Sequence, residues 1–291
     1  MKFAFIAAKE VAFPVVPMCR VLGVSPSGYY AWKKRPTPRR VAQDVRLAEE
    51  VAQAHAASRG IYGSPRVHRE LRAKGIRTSR KRVERLMRQR GLRGRQKRRF
   101  VRTTDSRHDR PVAPNLLQRN FAADQPNQAW VGDVTFIPTA DGWLYLAVLI
   151  DLFSRRVVGW ATSGSNDRAL ALDALEHALT SRRPRRGLLQ HTDRGSPYAS
   201  DDYSAAIAVH GLVASMSRTG NCYDNAVAES FFASFKAEWV EYESYSTRTE
   251  AHLSIAEYIE RFYNPTRRHS YLGYLSPIEF ELKARVAALA A

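Results

Sequence analysis

Cysteine is almost missing: Cys19 and Cys222 are the only two among 291 residues. They lie far apart, and no Cys/His set has the spacing of a zinc site. That excludes a disulfide framework and a structural zinc, and leads us to expect a reduced, intracellular (cytoplasmic) protein. No run of about 18 apolar residues occurs, so no membrane-spanning helix is expected. The opening "MKFAFIAAKEVAFPVV" is broken by Lys9 and Glu10 and by Pro14, with Pro17 just beyond, and does not read as a signal peptide. Acidic residues are scarce in the first part of the chain. Residues 1–123 hold 30 Lys+Arg against 8 Asp+Glu, a net charge of +22, whereas residues 124–291 hold 16 against 20, a net of −4. A basic part suited to a polyanion is joined to a slightly acidic part whose carboxylates need another explanation.

What is present divides the chain into four segments. Residues 1–40 form an N-terminal helical segment in which "VLGVS" (21–25) resembles the turn of a helix-turn-helix, with Ser25 or Ser27 as the cap of a short helix. Within it, "KKRPTPRR" (33–40) reads as a linker, because prolines and like charges oppose packing. Residues 41–101 read as a small all-α, basic helix-turn-helix domain. Val45, Ala48, Val51 and Ala52 recur on one side of a first helix, Pro65 opens a second that Gly75 stops, and Thr78 or Ser79 caps a third that Gly91 stops. Residues 80–99 carry eleven Lys/Arg and one acid, Glu84. The third helix, with Arg80, Lys81, Arg82, Arg85 and Arg88, is the candidate DNA-contacting element. Residues 102–126 lack periodicity, contain three prolines and read as a linker.

Residues 127–285 read as one domain with a C-terminal helical extension; residues 127–217 alternate strand and helix patterns and, with the helix that follows, give the order β-β-β-α-β-α-β-α. "AWVGDVTFIP" and "WLYLAVLIDLF" flank the hairpin signal "ADG", and "RRVVGWATS" supplies a third strand. Leu172, Leu175 and Leu179 mark the face of the helix that follows, and "GLLQHTD", "SDDYSAAIAVHG" and "LVASMS" continue the alternation. Three meandering strands followed by αβ units imply an α/β fold with a mixed sheet covered by helices.

Three acids stand out against this framework. Asp133 interrupts an apolar strand, where Asp is disfavoured and a buried carboxylate needs a partner. Asp193 directly follows the apolar strand "GLLQH", at the carboxyl end where α/β sheets place their sites. Glu229 lies on the helix after the fifth strand. Each also has an ordinary reading: Asp133 as a backbone hydrogen-bond acceptor, Asp193 as a turn former, Glu229 as a solvated side chain. Together, three such acids would repel one another unless a cation sat among them, and an oxygen-only set suits Mg²⁺ or Mn²⁺. On that last helix Asp224 or Asn225 caps the start, and Ala228, Phe232, Phe235 and Trp239 face the core. Lys236 lies two turns beyond Glu229, either within reach of a phosphate or as an ordinary surface lysine.

At these residues the chain resembles the D,D(35)E superfamily of transposases and retroviral integrases. Thirty-five residues separate Asp193 from Glu229, with Asp133 upstream in "WVGDVTF". The segments "GWLYLAVLIDLFSRRVVGW", "HTDRGSPYAS", "NCYDNAVAESFFASFK", "RRHSYLGYLSPIEF", "YGSPRVHRELRAKG" and "VVPMCRVLGVSPSGYYAW" are similar to the second-reading-frame proteins of bacterial insertion sequences, so the resemblance covers nearly the whole chain. One departure is that Pro197 stands where the family often has Gln after Gly-Ser.

The resemblance implies an RNase H-like core in which Asp133, Asp193 and Glu229 hold two Mg²⁺, with Mn²⁺ as substitute, and Lys236 contacts DNA beside the cleavage site. It implies cleavage at the ends of an insertion sequence followed by strand transfer. No covalent enzyme intermediate is needed, so Tyr198, Tyr203 and Tyr223 are expected to be structural. The rival acid Asp151 is expected to support the sheet or its neighbour Arg155. The DNA partners implied are the terminal inverted repeats, held by the basic N-terminal part, and a target. Further partners implied are other copies of the chain on DNA and a first-reading-frame protein, joined by frameshift fusion. Arg267 and Arg268 look exposed and are candidate DNA contacts. The competing readings are a DNA-binding protein without catalysis and a metal nuclease that does not join strands.

Overall fold

A computed structural model describes residues 1–35, 39–95, 112–218 and 222–290, with only the backbone at 222 and 223. The chain opens with three short helices, α1 (Lys2–Lys9), α2 (Val15–Val21) and α3 (Pro26–Lys34). Three more follow, α4 (Arg39–Ala57), α5 (Ser64–Ala73) and α6 (Arg80–Gln89). The expected linker at 33–40 is thus shorter than its composition suggests, since helix continues to Lys34 and resumes at Arg39; residues 36–38 lie outside the described residues.

Local chemistry sets these boundaries. Ser79 caps α6 by accepting from the Arg82 N–H, and Gly75 and Gly91 close α5 and α6 at φ +79° and +68°, a backbone region that favours glycine. Leu47, Ala48, Val51 and Ala54 of α4 meet Val67 and Leu71 of α5 and Val83, Leu86 and Met87 of α6. Val45, expected on that face, is exposed; the buried stripe starts two residues later.

The larger unit is a five-stranded mixed sheet in the order β3-β2-β1-β4-β5. Its strands are β1 (Ala129–Thr139), β2 (Gly142–Asp151), β3 (Val157–Ser163), β4 (Leu189–Thr192) and β5 (Val213–Met216). β1 and β2 form the expected hairpin, Thr139 opposite Gly142 at φ +100°. β1–β4 and β4–β5 are parallel, each crossover made by a helix: α7 (Arg168–Arg182) before β4 and α8 (Asp201–Val209) before β5. α7 and α8 cover one face of the sheet. The buried face of α7 is Leu170, Ala171, Ala174, Leu175 and Ala178 rather than the leucine row; Leu172 and Leu179 are only partly buried. Small residues face the sheet because α7 lies close to β3: a Cβ on Gly159 would sit 2.3 Å from the Ala174 carbonyl oxygen.

The other face carries a 3₁₀ turn (Cys222–Asn225), α9 (Ala226–Glu238) and α10 (Arg248–Ala256), which runs into a π-helical stretch (Glu257–Tyr263). Ala228, Phe232, Phe235 and Trp239 face inward as expected, joined by Phe231. Beyond them packs the α4–α6 unit: Tyr62 donates to the Thr266 carbonyl at 3.2 Å, and the Arg59 guanidinium lies 4.6 Å from the Trp239 ring centre. The chain ends with α11 (Pro277–Leu289), tied back by Glu281 to Arg182 at 2.8 Å and Arg156 at 2.9 Å.

Residues 112–128 are irregular, as their prolines imply, yet they are held against the sheet. The N–H groups of Leu116 and Leu117 donate to Ser215 Oγ at 2.9 and 3.3 Å, and Leu117 is buried.

Candidate active site

The strand register explains how the first two acids meet. Parallel pairing sets Gly132 of β1 beside Thr192, the last residue of β4. One residue further, Asp133 inside β1 and Asp193 just past the end of β4 lie at the same level. Alternation along β1 gives Asp133 the side shared by Val131 and Ile137, which is the side α9 covers. Gly132 is required for the close approach of β1 to its neighbours: a Cβ there would lie 2.7 Å from Leu149 Cδ2 and 3.1 Å from Gln190 Nε2.

The third acid arrives on α9. Asn225, buried at the start of that helix, donates from Nδ2 to the Gly132 carbonyl at 3.1 Å. The helix bearing Glu229 is therefore fastened to the residue that precedes Asp133. Glu229 lies four residues, about 6 Å of helix rise, beyond that anchor, and its side chain is exposed. Asp224, one residue before the anchor, is fully buried. It receives Arg218 through its backbone N–H and guanidinium at 3.0 Å, Arg119 Nε at 2.9 Å and Asn115 Nδ2 at 2.8 Å. Arg218 above all holds its carboxyl well below the usual range, against the opposing effect of burial. Asp224 thus clamps the loop before α9 to the segment 115–119. Neither Asp224 nor Asn225 acts as the simple helix cap that their position suggests, since no side-chain capping bond is made at Asn225.

The three carboxyl groups and Lys236 are close enough to act on one another electrostatically. Burial, followed by the neighbouring Asp193 charge, raises the Asp133 carboxyl well above the usual carboxylate range, and Glu229 adds to it. The Val134 N–H, donating at 2.9 Å, and the Lys236 ammonium act in the opposite direction. Lys236 is half-buried with its Nζ 4.7 Å from the Phe136 ring centre; burial lowers its pKa while Asp133 opposes that shift. Asp193 also accepts from the Gly195 N–H at 2.8 Å, which shapes the loop after β4. Pro197 in that loop is buried, and its carbonyl accepts from Ser200 Oγ at 2.8 Å. Among the described residues no three His, Cys, Asp or Glu side chains are gathered tightly enough to ligate an ion as they stand.

Asp151 falls away from this cluster, whereas Tyr198 stays near enough to Asp133 and Asp193 for their charges to add to the effect of burial in raising its pKa. Asp151 pairs with Trp130, three residues back along β1 from Asp133, which is about 10 Å at the strand rise. Fully buried, it accepts from the N–H groups of Asn127 at 2.7 Å and Phe153 at 2.8 Å, with Arg182 at 3.8 Å. The Arg155 guanidinium turns elsewhere, to the Phe121 carbonyl at 2.9 Å. Tyr198 and Tyr203 pack edge to face at 5.3 Å in the α7–α8 layer. The Tyr223 side chain lies outside the described residues.

Comparison with known proteins gives the same outline. The model of the "Integrase core domain" family matches residues 123–222, a second model of that description matches 210–277, and an "HTH-like domain" matches 42–100. The chain is 44% identical over 285 residues, 97% of its length and 99% of the relative's, to the transposase InsF of insertion sequence IS3A from Escherichia coli K12. The chain belongs to the IS3 family of insertion-sequence transposases. It is 46% identical over 266 residues to a 31 kDa protein of insertion element IS600 from Shigella sonnei, covering 91% of this transposase and 98% of that protein. Among solved structures, a chain of the simian T-cell lymphotropic virus intasome aligns at 14% identity and TM-score 0.44, over 79% of this transposase and 74% of that chain. The HTLV-2 integrase catalytic core, solved with magnesium, aligns at 15% identity and TM-score 0.39, over 55% and 98%. This transposase is a DDE-type polynucleotidyl transferase that cleaves DNA and transfers strands.

The structure separates the basic residues read as DNA contacts. Arg80, Lys81 and Arg88 are exposed on α6. Arg82 and Arg85 turn inward to the Asp44 carboxylate of α4, at 2.6 and 2.7 Å. Arg267 and Arg268 are not exposed. Arg267 is 4% exposed and makes two bonds to Glu238, at 2.5 and 2.6 Å. Arg268 is paired with Glu70 of α5 and donates to the Tyr274 carbonyl at 2.8 Å. Arg268 joins the helical unit to the core directly, and Arg267 shares Glu238 of α9 with Arg66 of α5, so both guanidiniums are engaged at this joint. Glu238, which sequence reasoning passed over, is legible in retrospect: it falls three residues after Phe235 and seven after Phe231, on the buried stripe of α9.

Proposed function

We propose that this transposase cuts and joins DNA at the Asp133, Asp193 and Glu229 carboxylates, with Lys236 beside them. The observation that carries the reading is geometric: the β1–β4 register sets Asp133 level with Asp193 at the carboxyl end of β4, and Asn225 fastens the start of the Glu229 helix to Gly132. Carboxylates that repel one another and supply only oxygen donors fit a hard divalent cation, Mg²⁺ or Mn²⁺, whose charge relieves that repulsion. Two such ions are the complement we assign to the site. When bound, a divalent cation supplies Lewis-acid polarisation of the phosphodiester and makes water a competent nucleophile near neutral pH.

The chain supplies the rest. Asp133 and Asp193 are rigidly positioned by adjacent strands, and Glu229 by the Asn225 anchor of α9. Their placement on fixed elements keeps the reacting groups aligned without reorganisation. Lys236 places a positive charge beside Asp133, where it holds a phosphate of the strand to be cut. Exposed Arg80, Lys81 and Arg88 on α6 hold duplex DNA, mostly through phosphates. One site used twice, first with water and then with the freed 3′-hydroxyl, accounts for cleavage and joining without a nucleophilic side chain. The duplex read by α6 is the terminal inverted repeat, other copies of the chain assemble on it, and a first-reading-frame protein completes the assembly.

The test uses duplexes bearing the element's ends, one intact and one with its 3′-hydroxyl already exposed. Wild type with Mg²⁺ or Mn²⁺ is expected to cut the first and join the second to a target, and Asp193→Asn is expected to do neither while still binding DNA. Cutting without joining of the pre-exposed end would replace transposase chemistry at this site with a hydrolytic nuclease.

A further inference from the structure

We propose that α2 and α3 form a second DNA-reading helix-turn-helix, separate from the HTH-like segment at 42–100, with α3 seated in the major groove of double-stranded DNA. The proposal rests on DNA binding by the transposase and adds a site to it.

The N-terminal helices close around their own small core. Ile6, Cys19 and Tyr29 are fully buried there, with Phe3, Met18 and Leu22 packed against them. The connection between α2 and α3 is a tight turn with Gly23 at φ +62°, and the Val24 N–H returns to the Cys19 carbonyl at 3.0 Å. Nothing lies within 4 Å of a Cβ at Gly23, so the backbone angle and not crowding requires the glycine. Ser25 then caps α3 through the Gly28 N–H at 3.0 Å. The second glycine serves that cap, since a Cβ at Gly28 would sit 2.7 Å from Ser25 Oγ. Helix, glycine turn and serine-capped helix repeat the plan of α5 and α6, where Gly75 and Ser79 hold the same places.

The outward face of α3 presents polar groups and one free-standing basic position to solvent, with no acid on it. Ser27, Tyr30, Ala31 and Lys34 are all exposed and recur at i, i+3, i+4 and i+7, a single stripe. Hydroxyl, phenol and methyl groups reach base edges in a major groove, and the ammonium reaches a phosphate. Residues 1–35 contain six Lys/Arg and one acid, Glu10. That acid is withdrawn from the stripe, bonded to Lys33 at 2.7 Å and to the Tyr29 hydroxyl, so the remaining charge is positive. Arg39 and Arg40, exposed at the start of α4, continue the basic surface in sequence.

The experiment compares full-length wild type, Ser27→Glu/Lys34→Glu and Arg88→Glu on duplexes carrying the element's ends, in EDTA, by anisotropy and hydroxyl-radical footprinting. The α3 variant changes only exposed side chains, and circular dichroism checks that helix content is kept. Its affinity is expected to fall roughly tenfold, with a salt slope smaller by about 1 and one segment of the footprint lost while the α6 segment stays. Arg88→Glu is expected to remove the other segment. If the α3 variant keeps the wild-type footprint, affinity and slope while Arg88→Glu does not, α3 is off the DNA and the proposal fails. Loss of self-association or of first-frame protein binding, with the footprint intact, would make this face a protein contact and overturn it equally. If neither variant changes binding, the α3 proposal and the DNA-binding reading of α6 both fail.

Discussion

Replacing Arg267 by Met removes the buried partner of Glu238. What remains to that 6% exposed carboxylate is Arg66 at 3.1 Å and the Tyr258 hydroxyl at 3.4 Å. Breaking a buried pair from one side costs about 3–5 kcal/mol, because the other charge stays buried. Arg66, a quarter exposed, still compensates part of it, so the lower end, about 3 kcal/mol, is expected. At about 2–4 °C per kcal/mol for a chain of this class, the unfolding midpoint should fall by about 6–12 °C. Arg267→Met/Glu238→Leu should regain most of the loss, since the orphaned charge is gone. The assay is urea and thermal unfolding beside DNA binding across salt concentrations, where all variants should keep the wild-type slope. An unchanged midpoint together with a slope smaller by about 1 would refute the reasoning, because that is the signature of an exposed phosphate contact.

Four further outcomes are expected. The Asp224 carboxyl titrates below its ordinary value of 3.8 in the folded chain, so its contribution is complete above that pH and lost as pH falls below it. Asp224→Asn should therefore be less stable near neutrality and show a flatter acid limb in pH-dependent unfolding. Arg88→Ala should weaken DNA binding and lower the salt slope by about 1 without changing stability, whereas Arg82→Ala should act mainly on stability by loosening Asp44; anisotropy and unfolding separate the two. Gly159→Ala should destabilise by about 1–3 kcal/mol in urea, since its methyl would be forced against the Ala174 carbonyl. Asn225→Ala should lower the single-turnover strand-transfer rate with little change in DNA affinity, because it frees the start of α9 and not the DNA surface.

Local patterns carried much of this architecture. The hairpin signal "ADG", the serine caps at 25 and 79 and the glycine stops at 75 and 91 each act within a few residues, and the elements they bound are present. Asp193 was legible because a strand end is visible as the end of an apolar run. What was not legible depends on partners distant in sequence. Nothing in "TRRHS" discloses that Arg267 meets Glu238, 29 residues away, or that Arg268 meets Glu70, 198 away. The segment 112–126 reads as a linker because it lacks periodicity, yet Ser215 and Asp224 fasten it to the sheet. The buried face of α7 was misplaced for a related reason: the largest residues were taken as inward, while close packing at Gly159 admits mainly alanines there.

The most direct measurement is single-turnover cleavage and strand transfer by Glu229→Gln, beside Glu176→Gln on the exposed face of α7 as control, with Mg²⁺ and end-bearing DNA. The predicted result is DNA binding retained by both, products at the wild-type rate from the α7 control, and none above background from Glu229→Gln. Cleavage and joining by Glu229→Gln at the wild-type rate would contradict the assignment of the three carboxylates as the catalytic set.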